Sequence, residues 1–177
     1  MDGQWDLTPR PASASSVVLT QLMEVTDANV LGNVHGGVLM RLADTAAALA
    51  AMKHTGGVCV TVSVDEMLFR EPVHVGDLVT LRAIVNQVGT TSLECGVRIV
   101  AERLRTGELV HASTAYFVYV AIDDQGRPRP VPPLVAESAE ERRRQKEATL
   151  RREARMAHKK EIERHREAER STGSSAG

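Results

Sequence analysis

The chain has 177 residues, 42% of them hydrophobic, and a formal net charge of −1. This length suits one domain with a sizeable core and an appendage. The near-neutral charge and an aromatic content of 3% argue against a nucleic-acid-binding protein, which needs basic patches and side chains that stack on bases.

The first segment, residues 1–16, holds Pro, Ser and Ala with little to bury, and we expect it to be flexible. It has acidic residues where a secretory signal needs basic ones. No apolar run approaches the roughly 20 residues of a membrane span. Cys59 and Cys95 lie singly in strand-like runs; they could form one disulfide, but two buried free thiols in a reducing compartment are favoured. Together these features predict a cytoplasmic protein without a membrane span.

A strand is predicted at residues 17–25, followed by a loop of turn-forming residues at 26–35. A helix pattern then runs over about residues 37–54, and the pair Gly56-Gly57 ends it. Nearly every position in this helix is apolar or alanine, so we expect the rest of the fold to cover it on most sides.

Four more strand patterns follow, joined by short turns, at about residues 58–65, 79–85, 93–99 and 109–122. The last of them is rich in β-forming residues and reads as a central strand. The predicted class is α+β, an antiparallel sheet wrapped around a central helix. One helix covers only one face of such a sheet, so a homodimer is the natural way to cover the rest.

The composition changes sharply after residue 136, which we take as the end of a domain spanning 17–136. Residues 137–170 contain 12 basic and 9 acidic side chains and few apolar ones. Pairs such as Glu140 and Arg144 recur at helical spacing. We favour a solvated helical tail that lies on the domain or its neighbours over a polyanion-binding arm, because acids are interspersed throughout. Residues 171–177 are expected to be disordered.

The candidate chemistry lies at the start of the predicted helix. Gly36 and Gly37 allow close backbone approach, and the unpaired N–H groups of a helix N-terminus attract negative charge. Such donors could hold a carbonyl oxygen that becomes an oxyanion, although glycines also serve simple packing. Asp44 lies seven residues after Gly37, on the same helix face. It could act as a general base or a nucleophile, or it could serve as a cap or pair with Arg41.

Other residues around the loop carry weaker signals. Asn29 could orient water or a carbonyl, but Asn29 and Asn33 are also ordinary turn formers. His35 has no recognisable nucleophile beside it, so a hydrogen-bonding or positioning role is favoured. The sequence contains no metal-ligand spacing and no phosphate-loop or dinucleotide glycine pattern.

Four ordered blocks covering about residues 17–136 resemble the hot-dog-fold acyl-CoA thioesterases, specifically the acyl-coenzyme A hydrolase branch that includes brain acyl-CoA hydrolase and its single-domain bacterial relatives. The blocks are DANVLGNVHGGVLMRLAD, TVSVDEMLFREPVHVGD, VNQVGTTSLE and FVYVAIDDQGRPRPVPPLV. The resemblance implies the hot-dog fold and a dimer with active sites at its interface, further assembled as a trimer of dimers. It implies hydrolysis of acyl-CoA to a free acid and coenzyme A, with no metal and no separate cofactor.

The resemblance also implies roles for individual residues. Asn29 from one subunit and Asp44 from the other would complete each site, with the Gly37 N–H as oxyanion donor. Arg70 or Arg98 would reach the phosphates of coenzyme A, unless they are plain surface charges. The full expected substrate-binding set is His35, Gly36, Val64, Asp65, Met67, Arg70, Gly89, Thr90, Thr91 and Ser92.

Two other readings stay open beside hydrolysis. A hot-dog domain could hold acyl-CoA as a sensor or scaffold without turnover, and the presence of both Asn29 and Asp44 argues against this. A dehydratase or hydratase on the same fold would want a His/Asp pair in a strand-to-helix loop, which the sequence lacks.

Overall fold

The computed structural model describes residues 5–173. Within them, the chain forms a five-stranded sheet, a small two-stranded sheet, two α-helices and two 3-10 turns. In chain order the elements are β1 (Arg10–Pro11), a 3-10 turn (Ala12–Ser15), β2 (Val17–Leu22), a second 3-10 turn (Val25–Asp27), α1 (Gly36–Thr55), β3 (Cys59–Phe69), β4 (Leu78–Val88), β5 (Ser92–Arg103), β6 (Glu108–Ala121), β7 (Leu134–Val135) and α2 (Ala139–Gly173).

The main sheet has five antiparallel strands in the order β2-β4-β5-β6-β3. Short turns join β4 to β5 and β5 to β6, so these strands pair as successive hairpins. The predicted antiparallel α+β architecture is confirmed. The strand expected to be central, β6, lies inside the sheet between β5 and β3, while β5 occupies its middle.

Helix α1 lies across one face of the sheet and contacts all five strands. Alanines make this packing close: Ala43, Ala46, Ala47, Ala50 and Ala51 are completely buried. Small side chains let a helix backbone approach a sheet, and the larger core residues come from the strands. The helix spans one residue more at each end than the sequence pattern predicts.

Both ends of α1 have their backbone groups satisfied. At the C-terminus Gly56 adopts a φ of +70°, the left-handed conformation that favours glycine, and its N–H bonds to the carbonyl of Met52. The guanidinium of Arg10 donates to the carbonyl of His54 at 2.9 Å, and that of Arg129 donates to the carbonyl of Thr55 at 3.2 Å. These cations also complement the negative end of the helix dipole.

Part of the segment expected to be flexible is built into the domain. Arg10 and Pro11 pair in parallel with Leu134 and Val135 as a two-stranded sheet. Ala12 and Ser15 are buried, and the hydroxyl of Ser15 accepts a hydrogen bond from the N–H of Val85. The expectation that residues 1–16 have little to bury is therefore wrong for this turn, which fills the space beside β4. Residues 1–4 lie outside the described part of the chain.

Helix α2 packs against the sheet face opposite to α1. Tyr116 and Tyr119 are three residues apart on β6 and so point to opposite faces. Tyr119 contacts Asp44 of α1, whereas the ring of Tyr116 lies 3.6 Å below the guanidinium of Arg151 on α2. We call these the inner and outer faces of the sheet.

The first half of α2 is anchored, and the second half is exposed. Ala148 is fully buried, Gln87 donates to Thr149 at 2.9 Å, and Arg151 bonds to Glu94 at 2.6 Å. From Met156 onward the described side chains are exposed. The prediction of a charged helical tail holds for its helicity, but its first half belongs to the domain. Residues 171–173, expected to be disordered, continue the helix, and 174–177 lie outside the described residues.

The anchoring of α2 depends on the pair between Arg151 and Glu94, whose side chain is only 4% exposed. Removing Arg151 leaves a buried carboxylate without its cation, which costs about 3 kcal/mol in typical proteins. We expect Arg151→Ala to lower the free energy of unfolding by about that amount in urea titrations. The matched control is Lys160→Ala on the exposed half of the same helix, and an equal effect of both substitutions would contradict the anchoring role.

Candidate active site

Asp44 lies half-buried on α1 and faces two hydroxyl groups of the sheet. Its Oδ1 accepts hydrogen bonds from Thr61 Oγ1 and from the Tyr119 hydroxyl, each at 2.8 Å. Within the described residues, Oδ2 has no hydrogen-bond partner. One carboxylate oxygen is thus fixed by two donors, and the other is left to meet water or a ligand.

Tyr119 is suited to remain a donor. Burial is the main cause that raises the pKa of its hydroxyl well above the ordinary range, and its hydrogen bond to Asp44 raises the pKa further. The hydroxyl oxygen also lies 2.9 Å from the backbone carbonyl of Asp44. Tyr119 and Thr61 are direct partners in the pairing of β6 with β3. The sheet register therefore places both donors at one point of the helix.

Thr61 and Tyr119 are the site residues that the sequence analysis missed. The sequence suggests Arg41 as a partner for Asp44, but Asp44 pairs with two hydroxyls instead. A signal was available, since both residues carry hydroxyls on strands that line the inner face. Their meeting depends on the register between β3 and β6, which strand patterns alone do not give.

At the N-terminus of α1 the backbone is closely packed. His35 caps the helix, and its Nδ1 accepts a hydrogen bond from the Gly37 N–H at 2.9 Å. A side chain at Gly36 would meet the ring of Phe69 at 3.3 Å. The predicted positioning role of His35 thus takes the form of a helix cap, and the Gly37 N–H already has an acceptor.

Asn29 forms the turn that precedes the helix. Its Oδ1 accepts hydrogen bonds from the backbone N–H groups of Leu31, at 2.8 Å, and Asn33, at 3.3 Å. Its amide nitrogen donates to no group in the described part of the chain. Asn29 lines an open cleft of about 290 Å³ together with Gly36, Phe69 and Arg70.

The expected catalytic residues fall into two groups within one chain. Gly36, in the group with Asn29 and Arg70, lies eight residues before Asp44 on α1, a separation of about 12 Å along a helix. We call the first group the cleft half and the group of Asp44, Thr61 and Tyr119 the carboxylate half.

Strand β3 runs between the two halves. Val64 and Met67 pair with Phe117 and Ala115 of β6, which are buried on the inner face, so both lie along the strip that joins the halves. Asp65 does not join them. It occupies an irregularity in the β3–β6 register and forms an ion pair with Arg155 of α2, on the outer face. The predicted substrate-binding role of Asp65 therefore has no support in its position within the chain.

The predicted block of residues 89–92 forms the turn between β4 and β5. Its backbone is held from two sides: the carbonyl of Thr91 accepts from Ala121 at 3.0 Å, and that of Thr90 accepts from Val131 at 3.1 Å. Ser92 pairs with Val120, next to Tyr119. A side chain at Gly89 would meet Ser92 Oγ at 3.0 Å and the guanidinium of Arg152 on α2 at 3.4 Å, so Gly89 and Ser92 face α2 and not the carboxylate half. Arg98 lies on the outer face, away from both halves.

No cluster of three or more metal-ligating side chains is found among residues that the structure describes. In the same part of the chain, neither helix is long and apolar enough to cross a membrane.

Comparison with known proteins identifies the family. The profile of the thioesterase superfamily matches residues 31–108. The chain is 39% identical over 127 residues to YkhA of Bacillus subtilis, an uncharacterized acyl-CoA thioester hydrolase, which covers 72% of this chain and 74% of the relative. The chain belongs to the acyl-CoA thioesterase family.

Solved structures of other acyl-CoA thioesterases share this fold. An acyl-CoA hydrolase from Staphylococcus aureus, in complex with butyryl coenzyme A and coenzyme A, matches with a TM-score of 0.82 and 32% identity over 89% of this chain and 96% of its own. An apo-hexameric acyl-CoA thioesterase matches with a TM-score of 0.83 and 35% identity over 85% and 97%. The Staphylococcus enzyme was also solved with single Asn, Asp and Thr to Ala substitutions.

The capping role of His35 can be tested by stability. Loss of a side-chain cap costs about 1 kcal/mol, whereas asparagine is itself a good cap. We therefore expect His35→Ala to lower the free energy of unfolding by about that amount and His35→Asn to restore most of it. The measurement is urea unfolding followed by circular dichroism. Equal stability of all three proteins would contradict the cap.

Proposed function

We propose that the protein hydrolyses the thioester of fatty acyl-CoA to a free fatty acid and coenzyme A. The observation that carries this proposal is Asp44, half-buried on a central helix, with one oxygen fixed by Thr61 and Tyr119 and the other free. The Asn, Asp and Thr substituted in the Staphylococcus hydrolase have the same mutual spacing as Asn29, Asp44 and Thr61 here, which supports a shared site.

In the proposed reaction Asp44 acts as general base or as nucleophile. As a base it takes a proton from water while the water oxygen bonds to the thioester carbon; the C–S bond then breaks, and the proton passes to the leaving sulfur. As a nucleophile its free oxygen bonds to the thioester carbon, the C–S bond breaks, and the thiolate of coenzyme A leaves a mixed anhydride behind. Water then hydrolyses the anhydride, which restores the Asp44 carboxylate, releases the fatty acid and supplies the proton that the thiolate takes up. Thr61 and Tyr119 orient the carboxylate in both routes. No metal or cofactor takes part.

The N-terminus of α1 would hold the thioester oxygen. The developing oxyanion is stabilised by backbone N–H groups at the positive end of the helix. The Gly37 N–H becomes available when the ring of His35 turns away from it, and the Gly36 N–H lies beside it. The amide nitrogen of Asn29 would orient the water or the substrate carbonyl.

We propose that the cleft half of one subunit meets the carboxylate half of another. Strand β3 is an edge of the sheet and exposes Val60, Val62 and Leu68, the second of them to 55%. On α1, Met40 and Leu49 are also exposed. Such an apolar band on an edge strand and its helix suits a symmetric dimer. The hexameric relative favours a further trimer of these dimers.

Coenzyme A would lie along this interface. Arg70 lies in the cleft half beside Asn29, where it can meet a phosphate. Residues 89–92, in the turn between β4 and β5, would supply backbone and hydroxyl groups to coenzyme A. Val64 and Met67 line the strip between the two halves for the pantetheine arm. Cys59 and Cys95 are buried free thiols, which fits the proposed cytoplasmic location.

A non-catalytic acyl-CoA-binding module is the alternative. It would need the same cleft but no polarised carboxylate. The two hydroxyl donors to Asp44 favour the enzyme, because a binding module has no use for a carboxylate with one fixed and one free oxygen.

The first test is release of free thiol from a series of acyl-CoA substrates of increasing chain length. We expect Asp44→Asn to lower kcat at least about a hundredfold, the usual contribution of a general base or nucleophile. Thr61→Val removes one of two donors and should lower kcat about tenfold. Thr20→Val, on the exposed edge strand β2, is the matched control. Wild-type rates for Asp44→Asn in folded protein would overturn the mechanism.

The second test mixes two inactive variants, Asn29→Ala and Asp44→Ala. If each site takes Asn29 from one subunit and Asp44 from the other, unfolding and refolding the mixture creates heterodimers with one intact site. Random pairing should then restore about a quarter of wild-type activity in the thiol-release assay. A mixture as inactive as its components would show that both residues act within one chain.

A further inference from the structure

A second cleft lies on the outer face of the sheet, beside the first turns of α2, and the proposed reaction does not use it. Its volume is about 180 Å³. Its floor includes Arg82 of β4, Arg98 of β5 and Thr114 of β6, and Arg143 and Arg144 of α2 form one wall. The same lining includes Glu140 and Glu147, so four arginines and two glutamates surround one small depression in a chain whose net charge is −1.

The cleft is separate from the carboxylate half within the chain. Gly96 pairs with Tyr116, and Arg98 lies two residues further along β5, paired with Thr114. Residues two apart on a strand share a face, so Arg98 lies on the same outer face as Tyr116. Asp44 approaches the sheet from the inner face. The sheet itself therefore stands between the two places.

Arg82 and Arg98 are direct cross-strand partners in the pairing of β4 with β5. Like charges at such positions destabilise a sheet unless something compensates them. No carboxylate in residues 5–173 forms an ion pair with either arginine. Natural sheets place opposite charges across from each other, so this pair is suited to share an anion.

The two arginines of the wall are already paired along the helix. Arg143 bonds to Glu147 at 2.5 Å, and Arg144 bonds to Glu140 at 2.9 Å. Each of these pairs is neutral as a unit. The lining therefore keeps the charge of the two floor arginines, with no acid left to balance it.

His111 lies beside the floor of the cleft and is affected by the positive charge of Arg98. His111 Nε2 lies 2.8 Å from the hydroxyl of Thr114, which pairs with Arg98. Burial lowers the pKa of His111, and the charge of Arg98 lowers it further. The hydroxyl of Thr114 adds a group that can donate to or accept from a bound oxygen.

We propose that this outer cleft binds a phosphate group, either as free phosphate or as the phosphate of a nucleotide. Two adjacent guanidinium forks match the charge and the oxygen geometry of a phosphate, and charge-assisted hydrogen bonds of this kind are strong. A bound phosphate also removes the repulsion between Arg82 and Arg98. This cleft is separate from the proposed site of thioester hydrolysis, and the proposal of phosphate binding does not depend on the proposed hydrolysis.

The test is isothermal titration calorimetry of the full chain with inorganic phosphate and, separately, with ADP, at low ionic strength. We expect binding of at least one probe, weakened about tenfold or more in Arg98→Ala and in Arg82→Ala, and weakened less in Arg98→Lys. Arg105→Ala, in the exposed turn between β5 and β6, is the matched control and should bind as wild type. No binding of either probe, or equal binding by wild type and both alanine variants, would overturn the proposal.

The two probes distinguish the sources. Binding of phosphate and ADP with similar affinity indicates a phosphate site alone, whereas much tighter binding of ADP indicates a nucleotide site. The competing occupant of the cleft is an acidic side chain of a neighbouring subunit, and light scattering of the same variants tests for it. If Arg98→Ala changes the mass of the oligomer and neither probe binds the wild type, the arginines bind that acidic side chain, and the proposal is wrong. Thiol release without phosphate should be unchanged in all arginine variants, so the two proposals fail independently.

Discussion

The close contact between the alanine face of α1 and the sheet governs most of what the molecule can do. Five completely buried alanines bring the helix backbone near the strands. At this separation a short carboxylate on the helix reaches hydroxyls that belong to two different strands. A helix with leucines in place of these alanines would stand further off, and Asp44 would lose both donors. The same contact holds the N-terminus of the helix against Phe69, so one packing interface positions both halves of the candidate site.

The two halves lie at different points of one rigid helix, and no side-chain movement within a chain can join them across about 12 Å. Strand β3 runs past both and carries the apolar side chains that are left uncovered at the edge of the sheet. The feature that makes this strand a suitable interface also makes it the wall of the site. Under the proposed arrangement, assembly and catalysis therefore use the same residues. Each subunit would bring an incomplete but prearranged set of groups, and the symmetry of the dimer would complete two sites at once.

The order of the five strands of the main sheet and the two α-helices, the approximate bounds of α1 and the position of Asp44 on it could be predicted, because they depend on local periodicity and on glycine at the helix ends. The partners of Asp44 could not. Thr61 and Tyr119 are far apart in sequence, and they meet through a strand register that includes an irregularity after Thr61. Asp65 shows the converse. Its place in a β3 block suggested substrate contact, but the shift in register turns it toward α2, where Arg155 binds it. The attachment of residues 10–15 could not be predicted either, because one small buried turn, not an apolar run, ties them to the core.

The anchored half of α2 also contacts two strands that are not neighbours in the sheet, β5 and β3. Arg151 meets Glu94 on β5, and one turn later Arg155 meets Asp65 on β3. Both contacts depend on the same rotation of the helix about its axis. The packing of the buried Ala148 against the sheet sets this rotation. One residue inserted between Ala148 and Arg151 would rotate both arginines by about 100° relative to Ala148. Length variation in this segment is therefore restricted to changes that keep the helical phase, whereas the exposed end beyond Met156 is free to lengthen or shorten.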